Sequence, residues 1–314
     1  MKNVKVILIS VVLCAAVFAN SRIDALGGDA GFWAGDRANI AIFPATINDH
    51  DFVEIDGVGN EDGVNATILW GDATTWGFNF NGDDDYTWMN IMWGNGDVGL
   101  NVVYKSDDDG STETDGFGVS YGQNFDWGEL GVGFTSDGDE SGYWANWRDD
   151  LNAWVFDSAK ASFSSTDDGN ETTTMGLSFD MFTHLDAGGA DVLFGLGVDY
   201  HSTDTDGSGA TSMTLPSATI AVEADLTDWA TLRAWASHEY GFSCTNDDAA
   251  GTDPCTDDAT GVSGTDYGFG LGFNWGAAQL DMQVGTQLFT NPVATMTGFK
   301  DLDTEGTVTL SYSF

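Results

Sequence analysis

Basic residues are scarce in this chain of 314 residues: nine Lys and Arg stand against 50 Asp and Glu, a formal net charge of −41. Phosphate binding needs clustered Lys and Arg, so the composition argues against a nucleic-acid partner. Long apolar runs are also missing after the first twenty residues, and no later segment reaches the roughly 20 apolar residues of a membrane-spanning helix. A membrane-embedded form of this chain would therefore cross with strands.

Residues 1–19 have the composition of a secretory signal peptide. Lys2 and Lys5 precede the apolar run VILISVVL, and Val17 and Ala19 occupy the small-residue positions before a cleavage site. We therefore expect a mature protein that begins at about Asn20.

Cysteine is nearly absent, with three in the whole chain. Cys244 and Cys255 bracket the polar stretch TNDDAAGTDP. Because an exported chain meets oxidising conditions, a disulfide between them is expected. Two free thiols or a metal-binding pair are the alternatives.

Apolar and polar residues alternate with period two along most of the remaining chain. Examples are DVGLNVVYKS, YGFGLGFNW and QLDMQVGTQL. The face opposite the apolar one is mostly Gly, Ser, Asn, Gln and Thr, as in a barrel with lipid outside and a polar lumen. The pattern predicts an all-β fold: a transmembrane antiparallel β-barrel over residues 50–314 with about sixteen strands, or fourteen if the hairpin at 142–157 is absent.

The predicted connections alternate between short turns, such as RDDL at 148–151, and longer acidic loops, such as SDGDES at 136–141. Outer-membrane barrels show this asymmetry between their two rims. Tryptophans near the short turns predict an aromatic girdle at one membrane interface, with turn packing as the alternative. They are Trp70, Trp76, Trp93, Trp127, Trp147, Trp154, Trp229 and Trp275.

The last ten residues, EGTVTLSYSF, place Val308, Leu310, Tyr312 and Phe314 on one face of a strand. This ending resembles the C-terminal assembly signal of Gram-negative outer-membrane proteins. The resemblance implies a location in the outer membrane, with outer-membrane lipid, lipopolysaccharide and the barrel assembly machinery as partners.

Residues 20–49 do not alternate. They contain Gly27-Gly28, Gly31, Asp36 and Phe43-Pro44-Ala45, and they resemble the N-terminal segment of the FadL-type transporters. The resemblance implies a plug inside the barrel and a carrier of hydrophobic compounds. A peptide that fills the lumen without transporting anything is the alternative.

Charged residues on the predicted inward faces are candidates to line a pore. They are Lys105, Glu129, Lys160, Asp180, Asp199, Glu223, Arg233 and Asp281. Their acidic excess predicts cation preference, although each could instead form an ion pair that ties neighbouring strands together.

The function expected from these patterns is a porin-like channel for passive diffusion of small solutes, preferring cations. The alternatives are a FadL-like carrier and a closed barrel with a structural or adhesive surface role. Asp199 and His201 alternate near a loop, but no nucleophile motif accompanies them, and we expect no enzyme. No resident cofactor is expected. Calcium bound loosely at the acidic loops and a homotrimer are left open.

Overall fold

The computed structural model describes residues 20–58, 64–82, 86–107, 115–205, 208–246, 260–284 and 307–314. The predicted signal peptide at 1–19, Cys255 of the predicted disulfide, and the acidic residues at 83–85 and 108–109 lie outside these ranges. No helix in the described part of the chain is long and apolar enough to cross a membrane.

Sixteen antiparallel strands form a closed barrel in which each strand pairs with its sequence neighbours and β1 pairs with β16. This confirms the predicted fold class and strand number. The strands are β1 Phe52–Val58, β2 Val64–Gly71, β3 Thr75–Gly82, β4 Tyr86–Gly94, β5 Val98–Asp107, β6 Gly116–Phe125, β7 Gly128–Asp137, β8 Glu140–Ala153, β9 Phe156–Asp167, β10 Thr172–Asp186, β11 Ala190–Thr205, β12 Ser208–Thr227, β13 Ala230–Asn246, β14 Thr260–Trp275, β15 Ala278–Val284 and β16 Val308–Ser313.

The two faces of the wall differ as period-two alternation requires. On β2, the side chains of Asn65 and Thr67 are buried inside the barrel, whereas Ile68 and Trp70 are exposed outside. On β16, Thr309 and Ser311 point inward, while Leu310 and Tyr312 point outward. An exterior of exposed apolar side chains is the face that lipid covers, so the polar residues are left to the lumen.

The rim that carries the short turns, which we call the short-turn rim, is rich in exposed outward tryptophans. Trp70 and Trp76 face each other across the β2–β3 hairpin, and Trp127 stacks on Phe125 at 4.6 Å between ring centroids. Trp154 is 93% exposed at the tip of the β8–β9 turn. This rim is the predicted position of the aromatic girdle.

Two predicted connections are wrong. Residues 148–151 lie inside β8, and the turn falls at Trp154 and Val155 instead. The strand continues because Arg148 is held in the wall by an ion pair with Glu129 on β7. The predicted loop at 136–141 is reduced to a turn at Gly138 and Asp139, since β7 and β8 pair almost to their ends.

The N-terminal segment at 20–51, which we call the plug, lies inside the barrel. It begins with a short helix, α1 (Ser21–Asp24), capped by the side chain of Asn20. Three 3-10 helices follow at Ala30–Phe32, Arg37–Ala41 and Pro44–Asp49, the first two capped by the carboxylates of Asp29 and Asp36. These side-chain caps satisfy backbone N–H groups that the short helices leave unpaired.

Glycines on the inward face let the plug backbone approach the wall. A Cβ atom added to Gly99 on β5 would lie 1.7 Å from the carbonyl oxygen of Pro44, and one added to Gly131 on β7 would lie 1.9 Å from that of Ile42. No side chain fits in such a gap, so these glycines determine where the plug docks.

We predict that Gly99→Ala displaces the plug around residues 43–47 without opening the barrel wall. The added methyl group overlaps a backbone atom, and overpacking of this kind costs about 1–3 kcal/mol. Hydrogen–deuterium exchange of residues 40–49 should rise. Gly264→Ala is the matched control, because a Cβ atom there meets nothing within 4 Å. Equal exchange in the two variants would contradict the prediction.

Candidate functional site

Ion pairs tie the plug to the barrel wall on several sides. Arg22 of α1 contacts Glu223 on β12 at 2.6 Å and also pairs with Asp36 within the plug. Lys160 on β9 lies 2.5 Å from Asp29 of the plug.

Arg37 supplies a further link on the opposite side of the plug. It pairs with Glu54 on β1, lies 3.8 Å from Asp281 on β15, and donates a hydrogen bond to the Ser311 hydroxyl at 3.0 Å. The plug is thus held by charges on strands that are distant from one another in sequence.

A second set of ion pairs joins strands within the wall. Arg233 lies 2.6 Å from Asp281 and 2.7 Å from Glu223. Lys160 lies 2.9 Å from Asp180, and Lys105 lies 2.5 Å from Asp137. Seven of the eight predicted pore-lining residues occur in ion pairs of the wall or plug, namely Lys105, Glu129, Lys160, Asp180, Glu223, Arg233 and Asp281. Their role in conduction stays a prediction.

Arg148, which the sequence predicts in a turn, links the wall to the plug. Its guanidinium donates to Glu129 and also, through Nη1, to the carbonyl of Gly31 at 3.0 Å and the side-chain oxygen of Asn39 at 3.1 Å. Glu54 was missed as well, although it alternates with outward Val53 and Ile55 on β1. The sequence feature that could have identified both residues is the small number of Lys and Arg, because each buried cation needs a carboxylate partner.

Two apolar clusters hold the rest of the plug. One packs Ile40 and Ile47 of the plug against Phe52, Leu69 and Met92 of β1, β2 and β4. The other packs plug residues including Ile23, Leu26, Phe32 and Trp33 against Phe182, Leu193 and Ala221 of β10 to β12. Two apolar clusters therefore anchor the plug, and Phe32 and Trp33 in the middle of the segment belong to the second of them.

Cavities lie on both sides of the plug. At the short-turn rim, cavities of about 780 and 720 Å³ share Arg22, His184, Asp191 and Gln279 as lining residues. Towards the opposite rim, cavities of about 380 and 290 Å³ share Ser162, Ser178 and Asp199. We call these pairs the inner and outer vestibules.

Phe32 separates the two vestibules, because its side chain lines both the 780 Å³ inner cavity and the 380 Å³ outer cavity. Its ring packs edge-on against Phe182 at 5.1 Å, and Lys160 Nζ lies 4.3 Å from the ring centroid. The Phe32 carbonyl lies 2.8 Å from Nε2 of His184 on β10. Phe32 is thus in contact with cavities on both sides of the plug.

The outer vestibule is acidic. Asp199, Glu239 and Asp266 line it together with Lys160, and within the described residues no Lys or Arg lies within ion-pair distance of these three carboxylates. His201 and Asp199 line its smaller cavity. The part of the chain that the structure describes contains no group of three His, Cys, Asp or Glu placed to hold a metal ion. Calcium at the acidic loops stays a prediction.

Three plug side chains, Arg22, Asp24 and His50, have perturbed pKa values, and burial lowers the pKa of His50. The pKa of Arg22 is raised: burial lowers it, but the carboxylates of Asp36 and Glu223 raise it by more. Burial, followed by the charge of Asp56 on β1, raises the pKa of Asp24 to about 7. Arg22 therefore remains charged, whereas Asp24 gains or loses a proton near neutral pH.

Comparison with solved structures finds barrels of similar fold. A bacterial polysaccharide outer-membrane secretin matches with a TM-score of 0.51 and 12% identity, over 84% of this chain and 97% of that one. BamA from Haemophilus ducreyi lacking POTRA domains 1–3 matches with a TM-score of 0.40 and 13% identity, over 84% and 69% of the two chains. Copper transporter OprC matches with a TM-score of 0.31 and 7% identity, over 75% and 46%.

At this identity the secretin likeness shows the fold alone, and the two weaker matches carry no argument. No protein-family model and no curated protein matches the chain. The fold is that of an outer-membrane β-barrel. The resemblance of residues 20–49 to FadL-type transporters stays a prediction.

We predict that Asp24→Asn strengthens plug docking at pH 8. The docked plug holds a proton on Asp24 that an undocked chain loses near pH 4, so docking weakens as pH rises from about 4 to 7. Removing this ionisation should stabilise the docked plug at pH 8 by roughly 1–3 kcal/mol, allowing for hydration of the site. Exchange protection of residues 21–28, compared at pH 5 and 8, measures the effect. Asp228→Asn, in an exposed turn, is the control; unchanged pH dependence in Asp24→Asn would refute the prediction.

Proposed function

We propose that this protein is an outer-membrane channel for passive diffusion of small solutes, preferring cations, in which movement of the plug near Phe32 opens the path. The observation that carries the proposal is the pair of polar vestibules that meet at this side chain. A lumen with such vestibules on both sides of one aromatic residue needs only a local displacement to become continuous.

Local opening is compatible with how the plug is held. Asp29 and Gly31 are held by Lys160 and Arg148 through polar contacts, whereas Phe32, next to Gly31, packs against Phe182 in an apolar cluster. Polar contacts beside cavities of this size are exchanged for contacts with water at modest cost. The residues around Phe32 can therefore shift by exchanging these polar contacts and the Phe32–Phe182 ring contact, while Ile40 and Ile47 remain docked in the other cluster.

Charge supports the predicted ion preference. Asp199, Glu239 and Asp266 face the outer vestibule, where the one basic lining residue, Lys160, already contacts Asp29 and Asp180. Carboxylates around a narrow, low-dielectric passage raise the local concentration of cations and repel anions.

A closed barrel with a structural or adhesive role is the second candidate. Every Lys and Arg of the described residues lies in an ion pair within the lumen, which is an arrangement that would also rigidify a sealed barrel. A FadL-like carrier is the alternative within transport, and would use the apolar side chains Ile42 and Trp144 that line the smaller outer cavity. Lipopolysaccharide, the assembly machinery and a homotrimer stay predicted partners.

We predict that Phe32→Ala raises the ionic current through purified protein in planar bilayers several-fold above wild type. Loss of the ring joins the two vestibules. Phe43→Ala is the matched control, because Phe43 is a buried plug aromatic that packs on Arg148 at 4.6 Å and lines neither cavity beside Phe32. No current in either variant would leave the closed barrel as the function, and equal currents would place the barrier elsewhere.

We predict that the Asp199→Asn/Glu239→Gln double variant of Phe32→Ala has a lower potassium-to-chloride permeability ratio than Phe32→Ala alone. The amides keep the shape of the vestibule and remove two negative charges. Reversal potentials under a potassium chloride gradient measure the ratio, with Asp228→Asn as the control for general charge. Anion preference in Phe32→Ala would overturn the electrostatic part of the proposal.

A further inference from the structure

His184 on β10 is the contact between the wall and the backbone of Phe32. Its Nε2 atom lies 2.8 Å from the Phe32 carbonyl oxygen. Its Nδ1 atom lies 3.0 and 3.1 Å from the two carboxylate oxygens of Asp191 on β11. The ring also packs edge-on against Trp33, at 4.8 Å between centroids.

Both ring nitrogens of His184 thus face oxygen atoms that only accept hydrogen bonds. A neutral imidazole has one N–H and one lone pair, so it can donate to only one of these oxygens and must turn its lone pair towards the other. An imidazolium donates to both. The geometry therefore fits the doubly protonated ring, and loss of a proton breaks or repels one of the two contacts.

The other described contacts between the wall and Asp29, Gly31 and Arg22 use lysine and arginine, which keep their charge at neutral pH. Histidine is the side chain whose charge changes between pH 5 and 8. His184 is half-exposed and lines both cavities of the inner vestibule, so protons reach it from the short-turn side.

We propose that His184 is a proton-sensitive latch: when protonated it ties the Phe32 backbone to Asp191 and keeps the vestibules apart, and when neutral it releases this part of the plug. The proposal deepens the channel function above and rests on it for its effect on current. Its effect on the plug itself does not require conduction.

Several other charged groups surround the latch. Asp191 is the direct partner, and Arg22 lies over the Trp33 ring at 5.5 Å while lining the same two cavities. The remaining described charged groups that line the inner vestibule, contributed by the plug, the β6–β7 turn, β7, β8, β10, β12 and β13, are Asp36, Arg37, His50, Asp126, Glu129, Arg148, Asp149, Asp150, Asp186, Glu223, Asp225 and Arg233. Asp24 also titrates near pH 7, with the same sign, and must be tested separately.

The first test measures hydrogen–deuterium exchange of residues 30–35 in full-length protein at pH 5.5 and 8.0, each rate divided by the unstructured-peptide rate at that pH. Loss of one hydrogen bond predicts an about three- to tenfold fall in protection at pH 8.0. His184→Gln should show low protection at both values. A wild-type change below twofold, or a full pH effect in His184→Gln, would overturn the latch.

Asp191→Asn separates the latch from a merely structural role of His184. An asparagine amide can donate to Nδ1 of a neutral ring, whose Nε2–H then still donates to Phe32, so this variant should stay protected at both pH values. Asp24→Asn should keep the wild-type pH effect. Loss of the effect in Asp24→Asn, or its persistence in Asp191→Asn, would assign the response to another group.

The second test records planar-bilayer current while the pH of the chamber at the short-turn side is raised from 5.5 to 8.0. The open fraction should rise by the same three- to tenfold in wild type and stay constant in Asp191→Asn. Current in Phe32→Ala with no pH effect in wild type would refute the latch and leave the channel. A pH effect on exchange with no current in any variant would refute the channel and leave the latch.

Discussion

Closure of the hydrogen-bonded ladder between β1 and β16 is the constraint from which the other features of this structure follow. A hydrocarbon environment offers backbone N–H and C=O groups no partner, so every strand must be paired on both edges. Once the sheet is closed, each residue faces either lipid or lumen, and the polar half of every strand is committed to the interior. The interior of a sixteen-stranded ring is too wide for wall side chains to fill, and the plug occupies part of that space.

The scarcity of cations then decides how the interior is held together. Arg22, Arg37, Lys105, Arg148, Lys160 and Arg233 are all turned inward and all contact carboxylates. Removing one partner of such a buried pair leaves an uncompensated charge and costs about 3–5 kcal/mol, although the intact pair contributes much less. The ion pairs therefore mainly determine the position of the plug and add little to the stability of the barrel. The buried apolar surface that stabilises the docked plug lies in the two apolar clusters.

Period-two alternation predicted the strands and their inward residues, because successive side chains of a strand face lipid and lumen in turn. It did not predict the β8–β9 turn. A charged residue such as Arg148 is typical of a rim, and only its contacts with Glu129 and Gly31 explain why it lies within a strand. Partners such as Arg22 and Glu223, 201 positions apart, meet only after the barrel has closed. The role of His184 depends on a carbonyl oxygen 152 positions away and leaves no trace in local sequence.

The inward turn of every described lysine and arginine also determines how this protein meets enzymes and reagents from outside. A protease that cleaves after basic residues finds its targets enclosed by the wall: Arg233 is 2% exposed and Lys160 and Arg148 are 6% exposed. Reagents that label lysine amines are kept from the described lysines in the same way. Over the described residues the folded barrel therefore presents a surface without accessible basic side chains, and tryptic cleavage at any of these residues reports on unfolding.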